Sequence, residues 1–327
     1  VGLYDPCTII DFEVPKKYGL RQTIADSNGI GGIFRALRTI PVLKDFTDDM
    51  KEVCPNAYFL NYTNPMAQLA GWLGRYSGVK SVGLCHSVQT CSRGLLDKLD
   101  IKYSEPIRER IAGINHMGWL LEIEDANGTD LYPEIRKRAT EVLESGVTNH
   151  NDLVRFEYIR RFGYYCTESS EHNAEYNNFF IKAKYPELIE RYNIPLDEYP
   201  RRCVEQIKNW KNEKDNYIHD KVSHERTKEY ASYIMEAIVT DNPYKIGGNV
   251  IRGLIPNLPD DACVEVACLV NKCGIQPCRQ EPLPLQLAAM NNLMINVQLL
   301  TIEAAVTQKK DYIYQAAMLD PHTSSEL

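Results

Sequence analysis

Residues 56–86, NAYFLNYTNPMAQLAGWLGRYSGVKSVGLCH, decide the fold. Asn56–Tyr62 is a short apolar run of strand length. Pro65 can open a helix, because its missing N–H falls among the first-turn donors that have no partner anyway. Leu69, Ala70 and Leu73 then recur at helical spacing through Tyr76. Val79–Leu84 is a second strand and Val88–Leu99 a second helix. Strand, helix, strand, helix predicts a parallel sheet with helical crossovers. In open sheets of that kind ligands sit beyond the carboxyl ends of the strands. Asn61, Asn64, Cys85 and His86 all fall at those ends.

Upstream, Ile33–Glu52 has helical periodicity, with Pro41 expected to kink or split it. Gly29-Ile30-Gly31-Gly32 opens that helix. It is not a G-x-G-x-x-G fingerprint, because the third glycine would fall at Phe34 and no strand precedes it. A tight turn capping the helix is one reading; close approach to an anion at the helix start is the other.

Beyond about residue 105 the texture changes. Ile107–Ile123 is strand-like, Asn151–Arg161 and Phe179–Arg191 are helical in pattern, and Arg201–Val239 is long, charged and helical. Gly247–Cys268 has short β-prone runs punctuated by Gly, Pro and Asn. Leu285–Met318 is a long helix or helix pair whose Leu and Met stripe is core. The fold class is therefore α/β: a partial Rossmann-type parallel sheet over residues 1–105, then an α+β domain over residues 106–327.

Composition narrows the function. The 327 residues are 44% hydrophobic and 25% charged, with a net charge of −7, as in an ordinary globular protein. No basic patch marks a nucleic-acid partner. The apolar runs are too short to span a bilayer, and Val1–Thr8 has no signal-peptide character. Ten cysteines in a long chain of this kind read as reduced thiols in a cytoplasm. Cys263, Cys268, Cys273 and Cys278 recur every five residues, a spacing that suits neither a zinc knuckle nor one helix face.

Three segments carry chemistry. Cys85-His86 directly follows a buried strand; thiolate and imidazole are good ligands for a borderline divalent metal, although taken alone the pair reads first as structural. His116 lies in Gly113-Ile114-Asn115-His116-Met117, among apolar neighbours that also suit a core histidine. Thr167–Tyr176 (TESSEHNAEY) mixes acids, His, Asn and Tyr without Lys or Arg, which suits a polyol or metal pocket better than a salt-bridged helix.

Together, LRQTIADSNGIGGIFRALRTIP (20–41), NYTNP (61–65), VGLCHSVQ (82–89), GINHM (113–117), FGYYCTESSEHNAEY (162–176) and GLIPNLPDDACVEV (253–266) resemble glycoside hydrolase family 4. They lie in family order and cover nearly the whole chain. Cys followed by His at 85–86 is similar to the α-galactosidase/α-glucosidase branch. The resemblance implies an NAD- and Mn²⁺-dependent glycosidase. Such enzymes oxidise the sugar at C3, remove the C2 proton, eliminate the glycosidic oxygen, add water and return the hydride. It implies a second domain of the lactate/malate dehydrogenase type, Cys85 and His116 as metal ligands, and Asn64 and Asn115 as substrate contacts. It also implies His86 as acid or further ligand, and Tyr164 as the base, with Tyr165 its rival. The expected substrate is an α-galactoside, with α-glucosides and α-glucuronides or α-galacturonides as alternatives. A lactate/malate-type dehydrogenase and an inactive fragment are the competing readings, the family's glycine-rich NAD-binding opening being expected to precede Val1. A homodimer or homotetramer is the expected assembly.

Overall fold

The computed structural model describes residues 6–219 and 225–323. Its elements run α1 (Pro6–Lys17), α2 (Gly29–Val53), β1 (Tyr58–Asn61), α3 (Met66–Trp72) with a π turn at Leu73–Ser77, β2 (Lys80–Gly83) and α4 (His86–Lys98). There follow β3 (Arg108–Ile114), β4 (Met117–Glu124), α5 (Tyr132–Glu144), α6 (Leu153–Phe162), β5 (Tyr165–Cys166), α7 (Ser170–Glu175), α8 (Glu187–Arg191), α9 (Glu198–His219) and α10 (Ala231–Thr240). Last come β6 (Tyr244–Val250), β7 (Val264–Asn271), β8 (Gly274–Pro277), α11 (Leu285–Thr307) and α12 (Lys310–Leu319).

The predicted parallel unit is present: β1 and β2 pair in parallel from Tyr58↔Lys80 to Asn61↔Gly83, with α3 between them. The sheet then continues through antiparallel strands in the order β1-β2-β6-β7-β3-β4-β5, with β8 on β7. The fold is thus a Rossmann-type parallel portion followed by an α+β portion, sharing one sheet. A register row crosses its centre: Gly83 faces Asn249, Asn249 faces Glu265, Glu265 faces Gly113, and Gly113 faces Gly118. Cys85 lies two residues past the first member of this row, and His116 three past Gly113. Gly113 must be glycine: a Cβ there would stand 2.5 Å from the Met117 carbonyl oxygen, at φ +154.

Helix α2 is continuous through Pro41. Its buried Ala36, Ile40 and Leu43 pack with Leu69, Trp72, Leu73 and Ile302, and this burial outweighs the one backbone hydrogen bond that proline removes. Phe179–Arg191 forms a helix only from Glu187, as α8. The Asn177 side chain accepts the Phe179 N–H at 2.8 Å and turns the chain, and Pro186 disfavours helix in the residue before it. Arg201–Val239 is two helices, α9 and α10, with 225–230 non-helical; positions 220–224 of that stretch lie outside the described residues. Leu285–Met318 is the helix pair α11 and α12. Leu287, Met290, Met294 and Val297 are core, whereas Leu293 is half exposed. Of the four evenly spaced cysteines, Cys263 and Cys268 are buried and Cys273 and Cys278 exposed, all as free thiols.

One polar cluster is built into the middle of the sheet. Glu265 is 1% exposed. The Nδ2 groups of Asn115 and Asn249 both donate to its Oε1, at 3.2 and 2.9 Å. Its Oε2 and the Oδ1 atoms of both asparagines are left without partners. Burial pushes the Glu265 carboxyl up to about 7, against those hydrogen bonds and the pull of His116. A protonated carboxyl suits this setting, since it removes the buried charge while Oε1 still accepts from both amides. The folded chain holds this proton between about 4.5 and 7 while the unfolded chain releases it. The contribution to stability is therefore full below that window and is lost as pH rises through it, by something on the order of 3 kcal/mol. Glu265→Gln, which keeps the shape and cannot ionise, is expected to raise the unfolding temperature relative to wild type at pH 8 and to leave it unchanged at pH 5. Thermal melts at the two pH values check this; equal destabilisation at both would contradict it.

Candidate active site

A cavity of about 1070 Å³ opens at the carboxyl ends of β1 and β2. Asn64, Cys85, His86 and His116 all line it, together with Asp26, Glu168 and His172. Residues far apart in sequence therefore meet, and each is positioned by a local cause.

Cys85 follows β2 and caps the start of α4. Its backbone oxygen accepts the Tyr230 hydroxyl at 3.1 Å, and its Sγ lies 3.1 Å from Ser87 Oγ. His116 sits at the two-residue tip of the β3–β4 hairpin, with φ +62. Tight hairpins call for positive φ, and a histidine held there stores strain of the kind that collects at functional sites. Asn115, the other tip residue, turns inward to Glu265 and does not line the cavity. The expectation that it contacts substrate is therefore met instead by a buried anchoring role: it ties the hairpin carrying His116 to β7.

Glu168 and His172 come from the segment after β5. Gly118 N–H donates to Thr167 Oγ1 at 3.0 Å and Thr167 N–H to Gly118 O at 2.7 Å, docking this segment on the hairpin. Asn173 Nδ2 reaches the carbonyls of Thr167 and Ser169 at 2.9 and 3.0 Å. Asp26 comes from the loop before α2. There the buried Glu175 carboxylate accepts the N–H groups of Thr23, Ile24 and Ala25. Ala25 (φ +50) and Glu168 (φ +68) join His116 in the left-handed region, so three non-glycine residues of the cavity's loops share this strain.

The ligand atoms of Cys85, His116 and Glu168 lie within 4.8 Å of one another, as do those of Asp26, His116 and His172. The hydrogen bonds fix tautomers. Ser27 Oγ donates to Asp26 Oδ1 at 2.8 Å, so at 3.2 Å it accepts from His116 Nδ1–H. That leaves His116 Nε2, 3.5 Å from Glu168, to offer a lone pair once a cation displaces its proton; an imidazole oriented through its other nitrogen is the usual arrangement behind a metal ligand. His172 Nδ1 meets Ser169 Oγ at 2.9 Å, and its buried Nε2 has no hydrogen-bond partner. Asn64 Nδ2 donates to Asp26 Oδ2 at 2.9 Å, while its buried Oδ1 is unpartnered.

Charge follows the same geometry. Burial by itself opposes a charged His116, yet Glu168, Cys85 and Asp26 outweigh it and push the imidazole up to about 10. His172 is raised against its own burial by Glu168 and Asp26. Burial works to raise the Asp26 and Glu168 carboxyls, and the two imidazoles hold both below the ordinary range. A pocket with this surplus of acidic and sulfur donors fits a divalent cation of intermediate softness, and Cys85, His116 and Glu168 make the donor set that would hold it.

His86 stands at the mouth. Its Nε2 lies 2.9 Å from Glu229 Oε1, and its ring stacks on Tyr62 at 5.3 Å. Tyr164 does not line the cavity. It is half-buried and packs edge-on against Tyr132 at 5.9 Å, because Gly163 ends α6 and turns the chain before β5. Tyr165 is buried behind the site, its hydroxyl donating to Asp152 Oδ2 at 2.7 Å with Arg155 over its ring at 4.4 Å. The glycine turn serves α2: Gly29 N–H donates to Asp320 at 2.9 Å and Gly31 N–H to Gln22 at 3.2 Å. A Cβ on Gly32 would stand 2.4 Å from Ser27. The chain's own side chains fill the place an anion would take, and the described residues include no pyrophosphate cradle.

Titration of the protein with Mn²⁺, followed by calorimetry or electron paramagnetic resonance, is expected to show a single tight site. Cys85→Ser and His116→Ala should each weaken it by about 100-fold or more. Ser27→Ala, which removes the hydroxyl that links His116 Nδ1 to Asp26, should weaken it by roughly tenfold. Unchanged affinity in Cys85→Ser and His116→Ala would contradict the assignment.

No helix among the described residues is long and apolar enough to cross a membrane. Comparison with known proteins agrees with the geometry. The Family 4 glycosyl hydrolase model matches residues 1–101 and the Family 4 glycosyl hydrolase C-terminal domain model residues 111–323. The chain is 60% identical to an α-galactosidase of Bacillus subtilis (strain 168), over the whole of this chain and 75% of that protein. Its fold matches a putative glucosidase, lplD, of Bacillus subtilis with a TM-score of 0.86 at 23% identity, over 97% of this chain and 77% of the other. It also matches a 6-phospho-α-glucosidase from gut microorganisms, solved in complex with NAD and Mn²⁺, with a TM-score of 0.74 at 20% identity over 98% and 75%. The chain belongs to family 4 of the glycosyl hydrolases.

Proposed function

We propose that the protein cleaves α-galactosides by the oxidation–elimination route of its family, in the cavity that joins Cys85 to His116. The observation that carries this reading is the convergence of Cys85, His116 and Glu168 ligand atoms within 4.8 Å, with one imidazole, His172, beside them and another, His86, at the mouth. Simple hydrolysis by two carboxylates would need no sulfur ligand. The α-galactoside preference rests on the relative that is 60% identical.

Mn²⁺, held by Cys85, His116 and Glu168, and NAD⁺ would supply Lewis-acid polarisation of adjacent sugar oxygens and reversible removal of a hydride. Asn64, with its amide oxygen free, accepts a sugar hydroxyl. We assign the proton abstraction at C2 to His172 in place of Tyr164: its Nε2 makes no hydrogen bond, stands 3.5 Å from Asp26 Oδ1 and belongs to the cavity lining. With a metal as counter-charge to Asp26 and Glu168, the His172 imidazole no longer needs to carry a proton for them. His86, oriented by Glu229, gives a proton to the departing glycosidic oxygen. The free thiols accord with a cytoplasmic protein, and we expect it to act as a homodimer or homotetramer.

With NAD⁺, Mn²⁺ and a thiol reductant, the protein is expected to release 4-nitrophenol from 4-nitrophenyl α-galactoside, with a primary isotope effect from deuterium at C2. His172→Gln should lower kcat by about 10²–10⁴-fold. His86→Ala should slow methyl α-galactoside strongly and the nitrophenyl substrate little, because nitrophenolate leaves without a proton. Cleavage with neither an isotope effect nor solvent exchange at C2 would contradict the route, and preference for an α-glucoside or α-galacturonide would contradict the substrate.

A further inference from the structure

Helix α9 is a wall of the same cavity, with an apolar face that the other described residues leave exposed. Of its 22 residues only Glu198 is buried. Its first turn is pinned by ion pairs: Arg202 to Glu198 at 2.7 Å and to Glu171, and Arg201 to Glu198 at 2.6 Å. Beyond that turn, Val204, Ile207, Trp210, Tyr217 and Ile218 are all more than half exposed, Trp210 at 54%. Cys203, Gln206, Ile207, Trp210 and Glu213 line the cavity. They are spaced by three and four residues, so they form one face of the helix. An amphipathic helix keeps such a stripe for something that covers it.

The cavity's two ends differ in chemistry. Its floor is the dense polar cluster of Asp26, Cys85, His116, Glu168 and His172, where one sugar ring reacts. Its outer wall is an indole and an aliphatic side chain flanked by an amide and a carboxylate. At about 1070 Å³ the cavity matches the largest small-molecule sites, with room for a hexose, the nicotinamide that would oxidise it and a further group at the outer wall. An aromatic face covers the C–H side of a pyranose ring while neighbouring amide and carboxylate groups take its hydroxyls. The exposed Glu213, Gln206 and Arg202 make a purely apolar occupant a poor match.

We propose that Trp210, with Ile207, Gln206 and Glu213, forms the binding site for the leaving-group sugar of an α-linked disaccharide. The proposal deepens the galactosidase reading above and rests on it. Trp210 contacts the sugar being released, not the ring being oxidised, so it sets preference among glycosides.

The test compares a galactosyl-α-1,6-glucose disaccharide with methyl α-galactoside, in the native protein and in Trp210→Ala and Trp210→Phe. Trp210→Ala is expected to lower the ratio of kcat/KM for disaccharide over methyl glycoside by about tenfold, mostly through KM, the size of losing one packed aromatic anchor. Trp210→Phe should restore most of it. Circular dichroism reads whether α9 persists in each variant. Independently, free glucose, the sugar released, should change the tryptophan fluorescence of the native protein and not of Trp210→Phe; Trp72 and Trp119, the other two tryptophans, are buried. An unchanged ratio together with no fluorescence response would overturn the proposal while leaving the galactosidase reading intact. Wild-type protein that cleaves neither galactoside would overturn that reading, and this proposal with it.

Discussion

The structure depends on an imbalance of charge among side chains gathered at the floor of one cavity. Two carboxylates, Asp26 and Glu168, and the Cys85 sulfur face the imidazoles of His116 and His172. Buried carboxylates are costly unless a counter-charge accompanies them. With protein groups alone, the imidazoles supply it, which is why His116 is driven up to about 10 against its own burial. A divalent cation held there would supply the same counter-charge without requiring the histidines to be protonated. The loops, the helix caps and the hairpin tip all serve to keep these five side chains together.

Rigidity comes from buried polar partners behind the site. Glu175 gathers three consecutive backbone N–H groups of the loop that presents Asp26. Asn173 binds the carbonyls of the loop that presents Glu168. Asn115 and Glu265 anchor the hairpin that presents His116. Asp152, Arg155 and Tyr165 form a buried ion pair and hydrogen bond under the same segment. Each support is fully buried, so each is worth more than a surface contact and costs more to break. Left-handed backbone at Ala25, His116 and Glu168 is tolerable because these partners over-determine it. The outer wall is different: among the described residues, ion pairs hold α9 at its first turn while the rest of the helix is exposed.

Much of this was legible in residues 56–86. The alternation of strand and helix, and the placement of Asn64, Cys85 and His86 past the strand ends, follow from periodicity and from where parallel sheets bind ligands. The meeting of Cys85 with His116 needed the family resemblance, because 31 residues and a change of strand direction separate them. Asp26 and Glu229 gave no local signal at all: one follows a residue forced into left-handed backbone, the other lies in an irregular stretch before α10. Glu168 and His172 lay inside a segment whose lack of Lys and Arg marked it as a pocket. Tyr164, just before that segment, is suggested by the family resemblance alone, and it packs against Tyr132 outside the cavity lining. The helix expected at Phe179 failed for a local reason, the Asn177 turn followed by Pro186.

Everything above turns on where one cation sits. Crystals of the protein soaked in Mn²⁺ and measured on both sides of the manganese absorption edge locate it without reference to activity. The account predicts one strong anomalous peak within bonding distance of Cys85 Sγ and His116 Nε2, with Glu168 turned toward it. A peak elsewhere, or none with the cavity's side chains well ordered, would contradict it.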